Sequence, residues 1–159
     1  MNYRTLGRTG FKISEISLGT WQVGGKWGDP FNDQTAEDIL HTAIDHGINF
    51  IDTAELYSVP GRKETQGSTE RYIGSWLKNR SDRDKLVIAS KITGPSPGLS
   101  YIRNPLNFSR EQINIAIDGN LQRLQTDYID IYQLHWPERN VNNFGKLGYK
   151  HDENEKWKD

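Results

Sequence analysis

Gly47-Ile48-Asn49-Phe50-Ile51-Asp52-Thr53-Ala54-Glu55-Leu56-Tyr57 decides how this chain is read. A glycine with helix C-cap chemistry precedes a strand, Ile48 to Asp52, in which the apolar pair Phe50-Ile51 leads into Asp52. The same order recurs downstream. Leu86-Val87-Ile88-Ala89-Ser90 leads into Lys91, and Ile129-Asp130-Ile131-Tyr132-Gln133-Leu134 leads into His135-Trp136-Pro137. An earlier strand spans Glu15 to Gly19. Helical patterns fill the gaps. The first runs from Thr35, with Ile39, Leu40, Ala43 and Ile44 at helical spacing; the second starts near Ser68, with Tyr72, Ile73, Trp76 and Leu77 on one face. The third starts at Ser109, where Gln112 completes a capping box, and its apolar stripe is Ile113, Ile117, Leu121 and Leu124. Strands interleaved with helices predict an α/β fold with a parallel sheet and right-handed crossovers. The units alone fit either a doubly wound sheet or a (β/α)8 barrel. Ahead of them, Tyr3–Leu6 and Phe11–Ser14 flank Gly7-Arg8-Thr9-Gly10, a hairpin signal.

Composition narrows the function classes. With 159 residues, 34% of them hydrophobic and 26% charged, the chain can bury one core, so residues 1–159 are expected to form a single, partial domain. Net charge is -1 with the signs mixed along the chain, which leaves no electrostatic footprint for nucleic acid or an anionic membrane. Cysteine is absent, which removes disulfides, thiolate catalysis and Cys-based zinc sites. The polar start Met1-Asn2-Tyr3-Arg4 is no signal peptide, and no apolar run reaches the ~18 residues of a membrane span. The expected setting is cytoplasmic, so the triplets Asn79-Arg80-Ser81 and Asn107-Phe108-Ser109 are not read as glycosylation sites.

Asp52, Tyr57, Lys91 and His135 each follow a short apolar run at the C-terminal end of a strand, and in parallel α/β folds chemistry collects at the carboxyl ends of the strands. Two long connections, Ser58–Gly67 and Gly94–Asn107, are expected on that same face. Each of the four residues taken alone has an ordinary structural role: a turn cap, a half-buried ring, a strand-end charge, a satisfied histidine. Their joint placement is what marks a site. Gly24-Gly25-Lys26 is not a phosphate loop, because Trp27 stands where Ser or Thr is required and the glycine spacing is wrong. His41 and His46 miss the i, i+4 spacing of a helical metal pair, and no metal site is expected. Trp136 and Trp157 read as packing aromatics, although Trp136 is also a candidate for the substrate wall through its neighbour His135. Residues 137–159 are polar, without periodicity, and read as a loop-like tail.

Several spaced motifs together resemble the aldo-keto reductase family. They are Tyr3-Arg4-x-Leu6-Gly7-x-Thr9-Gly10, Leu18-Gly19-Thr20-Trp21, Gly47 to Tyr57, Lys91 after its strand, and Leu121-x-x-Leu124-x-x-Asp127-Tyr128-Ile129-Asp130 ending in His135-Trp136-Pro137. Val59-Pro60, Glu64-Thr65-Gln66-Gly67 and Asn143-Phe144-Gly145-Lys146-Leu147-Gly148-Tyr149 further resemble its bacterial, Tas-like NADP(H)-dependent group. The resemblance implies a (β/α)8 barrel closed below by the hairpin, which reduces a small-molecule carbonyl substrate, an aldehyde or ketone, with NADPH. It implies Tyr57 as proton donor, Lys91 beside it lowering the phenol's pKa, Asp52 holding the lysine, and His135 orienting the carbonyl. Trp21 would wall the substrate and nicotinamide, with Gly19, Thr20 and Asp52 as further cofactor contacts.

A whole barrel takes about 250 residues, and the fourth barrel strand here is followed only by the tail. The expectation is therefore the N-terminal half of such a barrel, truncated after the fourth strand. The main NADPH-binding region would fall in the absent half, and open strand edges would be prone to self-association. Two further readings stay open: a regulatory subunit on the same scaffold, like the barrel-shaped potassium-channel β subunits, and a self-associating half-barrel without activity.

Overall fold

The computed structural model describes residues 1–25, 33–139, 141–142, 147–150 and 152–154. Strands β1 (Tyr3–Thr5) and β2 (Lys12–Ser14) form an antiparallel hairpin. Gly7 and Gly10 turn it at φ of 51° and 82°, angles that side chains disfavour. There follow β3 (Leu18–Gly19), α1 (Asp33–Asp45), β4 (Phe50–Asp52), α2 (Ser68–Lys78), β5 (Val87–Ile92), α3 (Arg110–Leu124) and β6 (Ile131–Leu134). The described residues of the tail carry neither helix nor strand. Of the sequence motifs, Lys26, Trp27, Asn143 to Lys146 and Trp157 lie outside the described residues.

The sheet runs β3-β4-β5-β6, all parallel. Strands adjacent in sequence are adjacent in space, so the order never reverses as it must in a doubly wound sheet. The wall of a (β/α)8 barrel has this order, and the four strands are one part of such a wall. The hairpin attaches at the opposite end from the strand C-termini. Asn49, just before β4, accepts from Ser14 N at 2.7 Å and donates to Lys12 O at 2.8 Å, while Tyr3 OH donates to Gly47 O at 2.8 Å. Gly47 caps α1 as its sequence suggests, at φ 86°, with its N–H on Ile44 O and that of Ile48 on Ala43 O.

Alternation along β5 sorts its six buried residues onto two faces. Ile88 faces the helices and joins Leu40, Ile51, Ile73, Trp76, Leu77, Leu86 and Leu124 in the core. Ser90 faces the same way and donates to Glu70 of α2 at 2.6 Å. Lys91 points to the opposite face, beside Gln133 of β6 in the register. Asp52 is the last residue of β4, and because β5 extends to Ile92, Lys91 also sits inside its strand.

Helix α3 departs from the expected stripe. Ser109 caps it as expected, accepting from Gln112 N, but its fully buried residues are Gln112, Ala116, Asn120 and Leu124. Ile113, Ile117 and Leu121 are only half-buried. Polar partners on the sheet side turn the helix this way. Asn120 donates to Glu70 at 2.5 Å and to Ser90 at 3.0 Å, and accepts from Tyr132 OH at 2.9 Å. A small residue lets α2 and α3 meet: a Cβ at Gly74 would lie 2.2 Å from the Arg123 carbonyl oxygen. Gly74→Ala should therefore cost about 1–3 kcal/mol, the usual range for overpacking, because the obstacle is backbone. Urea unfolding of the two proteins measures it, and equal midpoints would contradict this packing.

Candidate active site

The polar residues of the non-helix face converge at the C-terminal end of the sheet. Lys91 is buried, and its ammonium donates to Asp52 Oδ1 at 2.5 Å, Thr53 O at 2.8 Å and Tyr57 OH at 3.4 Å. Those three bonds use every N–H it has. The ammonium also lies 4.8 Å from the centre of the Tyr57 ring. His135 Nε2 stands 3.5 Å from the Tyr57 hydroxyl, and the two rings meet edge-on. Asp52, Tyr57, Lys91 and His135, four separate points in the sequence, thus form one contiguous group.

Electrostatics here run against one expectation. Burial pushes the Tyr57 phenol up to about 12, and the neighbouring Asp52 carboxylate acts in the same direction. The expected lowering by Lys91 does not prevail, because the ammonium is already paired with Asp52 and the phenol is desolvated. His135 is pushed down to about 4, first by burial and then by Lys91, so its ring is neutral at pH 7. At neutral pH the site holds an ion pair, a protonated phenol and a neutral imidazole.

The remaining candidates divide. Thr20 is buried, and its hydroxyl and N–H are both engaged with Asp52 O, at 2.8 and 3.1 Å, so it ties β3 to β4. Gly19 is exposed, with nothing within 4 Å of a Cβ built there. Trp21 is 39% exposed, and its carbonyl oxygen accepts from Val59 N at 2.9 Å. Trp136 is buried, donates to Pro95 O at 3.0 Å, and lies against the His135 ring at 4.9 Å. It meets the group through His135.

Three participants escaped the sequence reading. Gln133 Nε2 donates to Asp52 Oδ2 at 3.3 Å, leaving Oδ1 to the lysine. Its signal was position: Gln133 lies in β6 two residues before His135, and strand alternation aims both to the same side. The others are Glu55 and Arg103, a buried ion pair at 2.9 Å between the Tyr57 segment and the loop after β5. Among the described residues no cluster of metal-ligating side chains occurs, and no helix is long and apolar enough to cross a membrane.

The model of the aldo/keto reductase family matches residues 15–155. The chain belongs to this family. It is 44% identical over 154 residues to Protein tas of Escherichia coli K12, covering 94% of this chain and 42% of that protein. A probable voltage-gated potassium channel subunit beta of Arabidopsis thaliana is 36% identical over 138 residues, covering 87% of this chain and 38% of that one. Among solved structures, the thermostable aldo-keto reductase Tm1743 superposes with a TM-score of 0.68 at 35% identity, over 89% of this chain and 45% of that chain. The chain thus spans less than half the length of each of these relatives.

The histidine gives a pH test. Folded His135 stays neutral down to about 4, whereas an unfolded histidine takes up a proton near the ordinary ~6.5. Between those values the unfolded state binds more protons, so stability should fall as pH drops through that window. His135→Gln should lack this share of the decline. Ring carbon shifts of labelled histidine, followed with denaturant unfolding between pH 4 and 7.5, check both statements; a His135 midpoint near ~6.5 would contradict the burial argument.

Proposed function

We propose that this chain carries the proton-handling half of an NADPH-dependent reductase that converts an aldehyde or ketone into an alcohol, with Tyr57 as the proton donor. The observation that carries the reading is the convergence of Lys91 Nζ and His135 Nε2 on the Tyr57 hydroxyl, at 3.4 and 3.5 Å, with Asp52 on the far side of the lysine. Reducing a carbonyl builds negative charge on its oxygen, and such a site needs a donor poised there with positive charge behind it. A phenol near 12 keeps its proton at neutral pH and still yields it to an alkoxide, which is a far stronger base than a phenolate. Lys91 donates to the phenolate oxygen as it forms. The neutral His135 ring offers Nε2 to the carbonyl oxygen in its N–H tautomer and orients it.

NADPH supplies the hydride when bound. The residues present fit such a group at the strand ends: Gly19 leaves open space, and Trp21 offers a half-exposed indole for a flat ring. Asp52 is engaged with Lys91 and Gln133 and acts on the cofactor side through them. The larger share of the cofactor grip belongs, on this reading, to the part of the relatives that this chain does not span, since barrels often hold phosphate in the loops after strands 7 and 8. The absence of cysteine supports a cytoplasmic setting. Likeness to the Arabidopsis channel subunit supports a second reading, a regulatory subunit on the same scaffold.

Completing the barrel with the C-terminal part of Protein tas tests the proposal. Tyr57→Phe in that protein should lower carbonyl reduction by ~100-fold or more, the scale of a lost general acid, with NADPH affinity barely changed. Wild-type turnover by the Phe variant would remove Tyr57 from the role and favour the regulatory reading. In the same protein Lys91→Met should shift or abolish the ionisation assigned to the phenol, and adding Asp52→Asn should cost little more, because residues acting as a unit are non-additive. Fully additive losses would show that the two act separately.

A further inference from the structure

Glu55 lies between Asp52 and Tyr57, inside a turn in which Tyr57 N donates to Ala54 O at 3.1 Å. Its backbone N–H donates to Lys91 O at 3.3 Å, and its carboxylate accepts from the N–H of Thr93, two residues beyond the lysine. The Tyr57 turn is therefore fastened at Lys91 itself and two residues beyond it. The fastening has a charge problem, because the Glu55 side chain is only 3% exposed and burial raises its pKa above the ordinary carboxylate range. Arg103 answers it from the loop that follows β5. Its Nη2 donates to Glu55 Oε1 at 2.9 Å and to Thr93 O at 3.2 Å, and its Nη1 donates to Gln112 O at the start of α3 at 3.4 Å. The Arg103 side chain is itself only 7% exposed.

None of these atoms touches the phenol, yet both partners of the Tyr57–Lys91 contact hang from them. Resting on the reductase reading, we propose that Arg103 and Glu55 form a positioning pair that sets how Tyr57 meets Lys91, and so links the Gly94–Asn107 loop to proton delivery. Removing either charge leaves the other buried and unpaired, and the turn must move or admit water. The 3.4 Å contact between Lys91 Nζ and Tyr57 OH then loosens, and the phenol moves into a wetter environment. A purely structural pair would cost stability and leave that contact as it was.

The test reads the phenol directly in the 159-residue chain, without reference to turnover. Tyrosine is labelled with ¹³C at Cζ, Tyr57→Phe assigns the resonance, and ionisation is followed in the alkaline range while circular dichroism monitors the fold. Asp52, Lys91 and His135, the titratable groups facing the phenol, stay intact throughout. In the parent chain Tyr57 should ionise well above the ordinary ~10; in Arg103→Met the phenolate-to-phenol ratio at pH 10.5 should rise about tenfold, one pKa unit. Arg103→Lys, which keeps the charge and loses the fork, should fall between them. Gly74→Ala, a strained variant remote from the site, should leave the Tyr57 curve in place. If Arg103→Met does not fold, Glu55→Gln/Arg103→Met, with no unpaired charge, is read instead. Curves superimposed on the parent's in a folded variant overturn the proposal. A null result for Tyr57→Phe in turnover would overturn the reductase reading alone, because the titration does not depend on it.

Discussion

A lysine ammonium buried near the end of β5 is the constraint on which the strand ends and their loops are arranged. An ammonium out of water costs several kcal/mol unless charge and hydrogen bonds surround it. Lys91 meets that demand with one carboxylate, one carbonyl and one phenol, drawn from Asp52, Thr53 and Tyr57. All three come from a single stretch of six residues. Satisfying the lysine therefore folds the end of β4 and its loop over the end of β5. Asp52 is 27% exposed at its side chain, so water shares in screening the pair, and losing the aspartate alone should fall toward the lower end of the ~3–5 kcal/mol typical of a broken buried pair.

The other face of β5 holds a second charged group of opposite sign. Glu70 is wholly buried in α2, and Ser90, Asn120 and Arg123 all donate to it, with Tyr132 bonded in turn to Asn120. This network joins α2, α3, β5 and β6 where an apolar interface would join them with less orientation. Close approach at Gly74 brings the two helices near enough for Arg123 to reach Glu70 at 2.7 Å. Linked polar groups of this kind favour one arrangement over its neighbours, since a shift breaks several buried bonds at once.

Much of this was legible in the residues. Short apolar runs ending in polar residues marked the strands from Phe50, Val87 and Ile131, and the Gly47 cap and the Ser109–Gln112 box marked helix ends, because local chemistry sets those features. Sequence periodicity failed where a tertiary partner overrode hydrophobicity. It chose Ile113, Ile117 and Leu121 for the buried face of α3, but Asn120 is buried through bonds to Glu70, Ser90 and Tyr132, which lie 50, 30 and 12 residues away. Gln133 and Arg103 were illegible for the same reason: a glutamine in a strand and an arginine in a glycine- and proline-rich loop carry no local mark of the carboxylates they meet. Proximity of Lys91 to Tyr57 was legible, whereas the direction of the phenol's shift was not. That direction depends on burial and on Asp52 being close enough to offset the lysine's field.

The two polar clusters also explain why β5 cannot slip in register. Its residues alternate faces, so a shift by one would turn Lys91 toward the helices and Ser90 toward Asp52. The lysine would then meet Glu70, a carboxylate already bonded to Asn120 and Arg123, while Asp52 would be left with Gln133 and no cation. One side would hold surplus positive charge and the other an uncompensated carboxylate. Ile88 would also leave the core it shares with Ile73 and Leu124. Charge pairing on one face, and polar bonding together with apolar burial on the other, select the same register. The arrangement that brings Lys91 to Tyr57 is thus the one in which β5 leaves no buried charge unpaired.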